Sequence, residues 1–152
     1  MNQEWPISQL ISYLPHRPPM IWIDRVVEVG KDYRGISGAC RLQIKKNGLY
    51  VNDQFEVHAS AVIELTAQSF GYLKAAYQEL HQFKDTPAQT YLTGVRYCYA
   101  NLTQLNLDQE VELEVRIQVK REMLPVTFVY GEVFQVGNSA LLAKCEIQVY
   151  VD

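Results

Sequence analysis

One long apolar segment carrying a lone acid constrains this chain more than any other feature. It reads His58-Ala-Ser-Ala-Val-Ile-Glu64-Leu-Thr-Ala-Gln68-Ser-Phe-Gly-Tyr-Leu-Lys-Ala-Ala-Tyr77. The neighbours of Glu64 are Ala61, Val62, Ile63, Leu65 and Ala67. A helix that is apolar nearly all round is wrapped by other structure on most sides. A carboxyl buried there costs several kcal/mol if ionised and unpaired, so its pKa is expected to rise. A raised carboxyl pKa suits general acid or base work near neutral pH. The alternative is that Glu64 lies on a narrow solvent strip of the helix, since Glu is seldom fully buried.

The segments around this helix are strand-like. Trp5 to Leu14 reads as a short helix, with Pro6 in its first turn and Ile7, Leu10, Ile11 and Leu14 on one face. Pro15 stops it, and His16-Arg17-Pro18-Pro19 forms a rigid link. Met20–Val29 and Tyr33–Ile44 read as a hairpin about Gly30-Lys-Asp. The long helix is expected from about Ala59 to about Phe83, with Lys84-Asp-Thr-Pro87 ending it. Four further strands follow, at Gln89–Ala100, Glu110–Arg121, Val126–Gln135 and Ala140–Val151. Their Val, Ile, Tyr and Phe alternate with polar residues such as Glu112, Glu114 and Arg116. The order predicts one α+β domain over residues 1–152: an antiparallel sheet wrapped around a central helix.

Composition narrows the function. With 152 residues and a formal net charge of -3, the chain has no Lys/Arg run longer than Lys45-Lys46, which disfavours nucleic acid and anionic membranes as partners. Cys40, Cys98 and Cys145 are odd in number and far apart, so reduced core thiols are expected and no zinc-type pair exists. The N-terminus lacks the shape of a secretion signal and no apolar run approaches the ~20 residues of a spanning helix, which implies a soluble, cytoplasmic protein.

Three ordered segments carry a resemblance. Leu14-Pro-His-Arg-Pro-Pro-Met-Ile-Trp-Ile-Asp-Arg-Val26-Val27 is the first, Glu64-Leu-Thr-Ala-Gln68 the second. The third is Tyr91-Leu-Thr-Gly-Val-Arg96, followed by Leu105-Asn-Leu-Asp-Gln-Glu-Val-Glu-Leu-Glu-Val115. Together they resemble the hotdog-fold 3-hydroxyacyl-[acyl carrier protein] dehydratases. The departure lies before the helix. The familiar enzymes carry a Gly-His-Phe-Pro turn there, with the catalytic His fourteen residues ahead of the Glu; here that position is Tyr50. This is similar to the divergent branch linked to aryl polyene and other specialised lipid pathways.

The resemblance implies dehydration of a 3-hydroxyacyl thioester in fatty acid or aryl polyene/polyketide-type lipid biosynthesis. Such a reaction needs a base for the α-proton, an acid for the departing hydroxyl and donors for the developing enolate. Glu64 is the expected acid, and His58, at the mouth of the helix, the expected base. For Gln68, at i+4, the resemblance implies a role in orienting Glu64 or a water, and a polar cap on a helix groove would explain it equally well. Free amides at about Ala59 to Ala61, with Ser60 between them, would hold the thioester oxygen. The resemblance puts Gly94 beside the acyl channel, with Tyr91, Leu92 and Val95 along it; core packing would explain these three equally well. Arg96 and Arg17, and also Arg25, are candidates for a phosphopantetheine phosphate or an acidic carrier. His16 is expected to brace the first strand and border the site, and His81 to be solvated.

No cofactor or metal is expected beyond the phosphopantetheine of acyl carrier protein or coenzyme A that bears the substrate. Two other readings stand beside the dehydratase. One is an acyl thioesterase on the same fold, and the other a catalytically weak subunit paired with an active relative. A sheet curled round one helix leaves an edge strand, so a homodimer, higher homo-oligomer or heterodimer with a related hotdog subunit is expected.

Overall fold

The structure is a computed structural model and describes residues 3–83, 89–103 and 105–152. The chain opens with a two-residue strand β1 (Trp5–Pro6), a single-turn helix α1 (Ile7–Leu10) and a 3₁₀ turn (Ile11–Tyr13). A hairpin of β2 (Arg25–Asp32) and β3 (Gly35–Ile44) precedes the long helix α2 (Ala59–Leu80). Four strands complete the fold: β4 (Thr90–Ala100), β5 (Val111–Met123), β6 (Val126–Gln135) and β7 (Leu141–Val151). They form one seven-stranded sheet in the order β1-β2-β3-β5-β6-β7-β4, antiparallel throughout. This is the α+β hotdog layout expected from the sequence.

Packing, not capping, holds α2. Its N-cap, His58, makes no side-chain cap bond, and its first turn holds no acid. A missing cap costs ~1 kcal/mol. Against that, Leu65, Tyr72 and Leu73 are at most 1% exposed, and each contributes roughly 2 kcal/mol by leaving water. The facing strand side chains are Val111, Leu113, Val115 and Ile117 of β5 and Val129 and Val133 of β6, all buried. The alternate residues of β5 carry the outer face: Glu114 pairs with Arg41 at 2.9 Å and Arg116 at 2.7 Å, and Glu112 pairs with Arg25.

Three boundaries differ from the sequence reading. The helix ends at Leu80 instead of Phe83, because Gln82 adopts a left-handed conformation (φ 54°). Phe83 N–H then donates to Gln78 O and Gln82 N–H to Glu79 O, which closes the last turn. The expected terminator, Lys84–Pro87, lies outside the described residues. The first strand begins at Arg25 instead of Met20, since the backbone of Met20 and Trp22 bonds to the side chain of Gln68. The expected helix over Trp5–Leu14 is instead a strand, a single turn and a 3₁₀ turn.

β4 is the long edge strand, and most of its length is exposed. Tyr91, Leu92, Val95, Tyr97 and Tyr99 are 44–51% exposed. Cys98 lies on the same strand and is exposed, which corrects the expectation that all three thiols are in the core; Cys40 and Cys145 are buried.

Candidate active site

The site is assembled by one strap and one helix. Residues 16–24 turn once, with Met20 N–H donating to Arg17 O at 2.9 Å, and pass over the middle of α2. Gln68, 1% exposed, fastens them down. Its Nε2 donates to Met20 O at 2.7 Å and to Glu64 Oε1 at 2.8 Å, while its Oε1 accepts the Trp22 N–H at 3.0 Å. Every hydrogen of the Gln68 amide is therefore committed, and its carbonyl is anchored to main chain. His16, also on the strap, brings Nε2 to 3.1 Å from the same Glu64 Oε1.

Glu64 is not sealed in the core. Its side chain is 29% exposed, so the solvent-strip alternative describes it better than full burial does. The strip comprises Ser60, Ile63, Glu64 and Ala67, the exposed and half-buried positions of this part of α2. None of the described cavities of the isolated chain is lined by Glu64; the largest, about 620 Å³, is lined by Pro18, Pro19, Ile21, Trp22, Leu49 and Tyr50 among others.

The imidazole against Glu64 belongs to His16 and not to His58. His58 occupies the N-cap, where its N–H donates to Tyr50 O at 2.8 Å and its carbonyl accepts from Ala61. Its side chain is exposed. Ala59 and Ser60 follow at the exposed helix mouth, five and four residues ahead of Glu64, which is roughly 6–8 Å along the axis. Cys98 Sγ of β4 approaches Ala59 O at 3.7 Å, so the edge strand runs past this mouth.

Other candidates have structural employment. Arg17 Nη1 donates to the carbonyls of Ile11, Leu14 and His16, which caps the 3₁₀ turn. Arg96 pairs with the buried carboxylate of Glu146 at 2.7 Å. Arg25 is held by Glu4 and Glu112. Among the described residues, a side chain at Gly94 would meet Gln148 no nearer than 3.7 Å. Tyr91, Leu92 and Val95 line none of the described cavities and are open on the edge strand. His81 stacks among Tyr77 and Phe83 at the far end of α2.

Tyr50, which stands where the familiar dehydratases carry their His, is a structural pin. It is 5% exposed, its hydroxyl accepts the Lys45 N–H at 2.9 Å, and its ring meets Trp22 edge-on with centroids 5.2 Å apart. Burial pushes its phenol pKa up. Sequence reasoning undervalued His16. Its only signal was the Pro-His-Arg-Pro-Pro segment, whose irregular backbone carries no periodicity from which to read a contact with α2.

This arrangement defines a hotdog-fold protein with a carboxyl–imidazole–amide cluster on its central helix. The chain belongs to the ApeP-like family, whose family model, described as ApeP dehydratase, matches residues 8–152. No curated protein matches it. Among solved structures, it is similar to the dehydratase heterocomplex ApeI:P from Xenorhabdus doucetiae, with 18% identity over 97% of this chain and 91% of that one and a TM-score of 0.72. It also resembles the BH2602 protein from Bacillus halodurans, solved with CoA, with 14% identity over 82% and 73% of the two chains and a TM-score of 0.54. The E. coli PaaI protein from the phenylacetic acid degradation operon shares 10% identity over 80% and 78%, with a TM-score of 0.52. At these identities the likeness to solved structures is one of fold.

Proposed function

We propose that this protein is a dehydratase subunit that removes water from a 3-hydroxyacyl thioester. The observation that carries the reading is the Glu64 carboxyl, gripped by Gln68 and His16 yet open along the uncovered strip of α2. Glu64 protonates the departing hydroxyl. The amides of Ala59 and Ser60 receive the thioester oxygen as negative charge builds on it. An imidazole takes the α-proton. Within this chain the exposed ring at the helix mouth is His58; a second subunit seated on β4 is the other source. The acyl chain arrives on phosphopantetheine, from an acyl carrier protein or coenzyme A, and serves lipid or polyketide-type synthesis.

The site reads as half of a shared one. Its carboxyl lines none of the described cavities of the single chain, and the adjoining edge strand exposes Leu92, Val95, Tyr97 and Tyr99. A related hotdog subunit is the partner that fits best, in keeping with the heterocomplex named for the ApeI:P structure. A long, apolar, exposed edge is otherwise an aggregation liability.

The test is product analysis. A 3-hydroxyacyl-pantetheine substrate is incubated with the protein alone and with a related hotdog dehydratase subunit. Enoyl thioester formation, strongest in the mixture, is the expected result. Free thiol without enoyl product would assign the thioesterase reading instead, and an inert protein in both arms would reject catalysis by this site.

A further inference from the structure

We infer that His16 is a positioning residue of this site and that, together with Gln68, it assigns the acidic proton of Glu64 to Oε2. The catalytic meaning of this assignment rests on the dehydratase reading; the hydrogen-bond geometry does not.

The Gln68 amide has one workable orientation. Its Oε1 must accept from Trp22 N–H, and its Nε2 must donate to Met20 O. A flipped amide would set oxygen against oxygen at Met20 and hydrogen against hydrogen at Trp22. The second Nε2 hydrogen then points at Glu64 Oε1, 2.8 Å away, so Oε1 is an acceptor.

His16 reaches the same oxygen. Its bond has two possible directions, and the far side of the ring decides between them. Nδ1 is buried and has no partner among the described residues. If Nε2 accepted a proton from Oε1, the neutral ring would carry its hydrogen on Nδ1, as a buried and orphaned N–H. Such groups are rare in native structures and destabilising. If Nε2–H donates, only a lone pair is left unpartnered.

Oε1 therefore accepts twice and has no place for a proton. No hydrogen bond within the described residues reaches Oε2, so that is the oxygen left to carry the proton. The two-donor grip fixes χ rotation of the carboxyl and presents Oε2–H to one location, where a leaving hydroxyl can take it. His16 acts through Glu64 and does not itself touch substrate.

Two measurements test this. The first is ¹⁵N NMR of the histidine side chains in the folded full-length protein at pH 8, beside a Glu64→Leu control. The expected result is a single His16 tautomer, Nε2 protonated and Nδ1 not, with a slowly exchanging Nε2 proton that is lost in the control. An Nδ1-protonated ring, or tautomer averaging that Glu64→Leu leaves unchanged, overturns the inference whether or not the protein turns over substrate. The second is kinetic. His16→Leu is expected to lower kcat by roughly tenfold to a hundredfold with KM within about twofold. His16→Gln, which offers an N–H donor at similar reach, is expected to recover most of that loss. Equal losses in both variants, or a change confined to KM, would overturn the positioning role. An inactive wild type with the expected NMR signature would reject the dehydratase reading and leave the proton assignment standing.

Discussion

Trp22 and Gln68 are joined by a hydrogen bond from main-chain N–H to side-chain oxygen at 3.0 Å, and that bond orients the whole site. It fixes which end of the Gln68 amide faces α2, and so which oxygen of Glu64 is held. It also supplies the strap with a partner that a neighbouring strand would otherwise provide, which is why β2 begins only at Arg25.

Gln68→Leu removes that anchor while keeping the volume nearly constant. It orphans Trp22 N–H and Met20 O, so a loss of about 2–4 kcal/mol is expected from two unsatisfied main-chain groups. Urea unfolding checks it. A change within about 0.5 kcal/mol would mean that the strap is held by other contacts.

Arg96 is expected to matter for folding. Glu146 is 6% exposed and faces Arg96 at 2.7 Å, whereas Arg96 itself is 60% exposed, so solvent screens the pair on one side. Arg96→Met should destabilise the fold by about 1–2 kcal/mol by leaving a buried carboxylate alone, and adding Glu146→Gln should restore most of it. A variant of wild-type stability with weakened binding of a phosphopantetheine thioester would contradict this and place Arg96 on the substrate side.

Gly131 and Thr66 lock β6 to α2. A Cβ at Gly131 would stand 2.5 Å from Thr66 Oγ1 and 2.7 Å from its Cγ2. Thr66 is fully buried and its hydroxyl donates to Val62 O, so it has no free rotamer to retreat into. Gly131→Ala is expected to cost about 1–3 kcal/mol, and Thr66→Ala to relieve about 1 kcal/mol of that in a double-mutant cycle. Strict additivity would contradict the packing described.

The thiols should separate by accessibility and pH. Burial pushes Cys40 up to about 12 and Cys145 up to about 11, from an ordinary 9.0. Only Cys98 is exposed, and burial raises its pKa too. Iodoacetamide at pH 8 should label one thiol of the native chain, slowly, with a rate that climbs with pH as thiolate forms. The contribution of the buried thiols to stability should begin to fall as pH rises through about 9. Unfolded chains lose thiol protons there while Cys40 and Cys145 keep theirs up to about 11–12. The slope should reach roughly 1.4 kcal/mol per pH unit for each proton involved. An unfolding midpoint identical at pH 8 and pH 10.5 would contradict this.

The fold was legible because its signals are periodic. The apolar run around Leu65 and Leu73 announces a core helix, and the alternation of Val111, Leu113 and Val115 with Glu112 and Glu114 announces a half-polar strand. Helix termination was misread because Gln82 takes a left-handed conformation that favours glycine, so the true stop precedes the Pro87 that marked it in sequence. Glu64 and Gln68 were legible by their i,i+4 spacing, and the structure joins them directly. His16 lies forty-eight residues from Glu64 on an irregular strap, and no local pattern encodes such a contact. His58 is adjacent to the helix in sequence, yet it caps the end with its backbone while its ring faces outward.

The central claim is that the Glu64 carboxyl is the acid of a site completed by a second subunit. Turnover of a 3-hydroxyacyl-pantetheine by the mixed complex, with wild type or Glu64→Gln in place of this chain, tests it most directly. Gln preserves size and an acceptor oxygen but removes the proton. The account predicts that kcat falls by about 10²–10⁴ while the complex still assembles. Turnover within about threefold of wild type would contradict it and remove Glu64 from the chemistry.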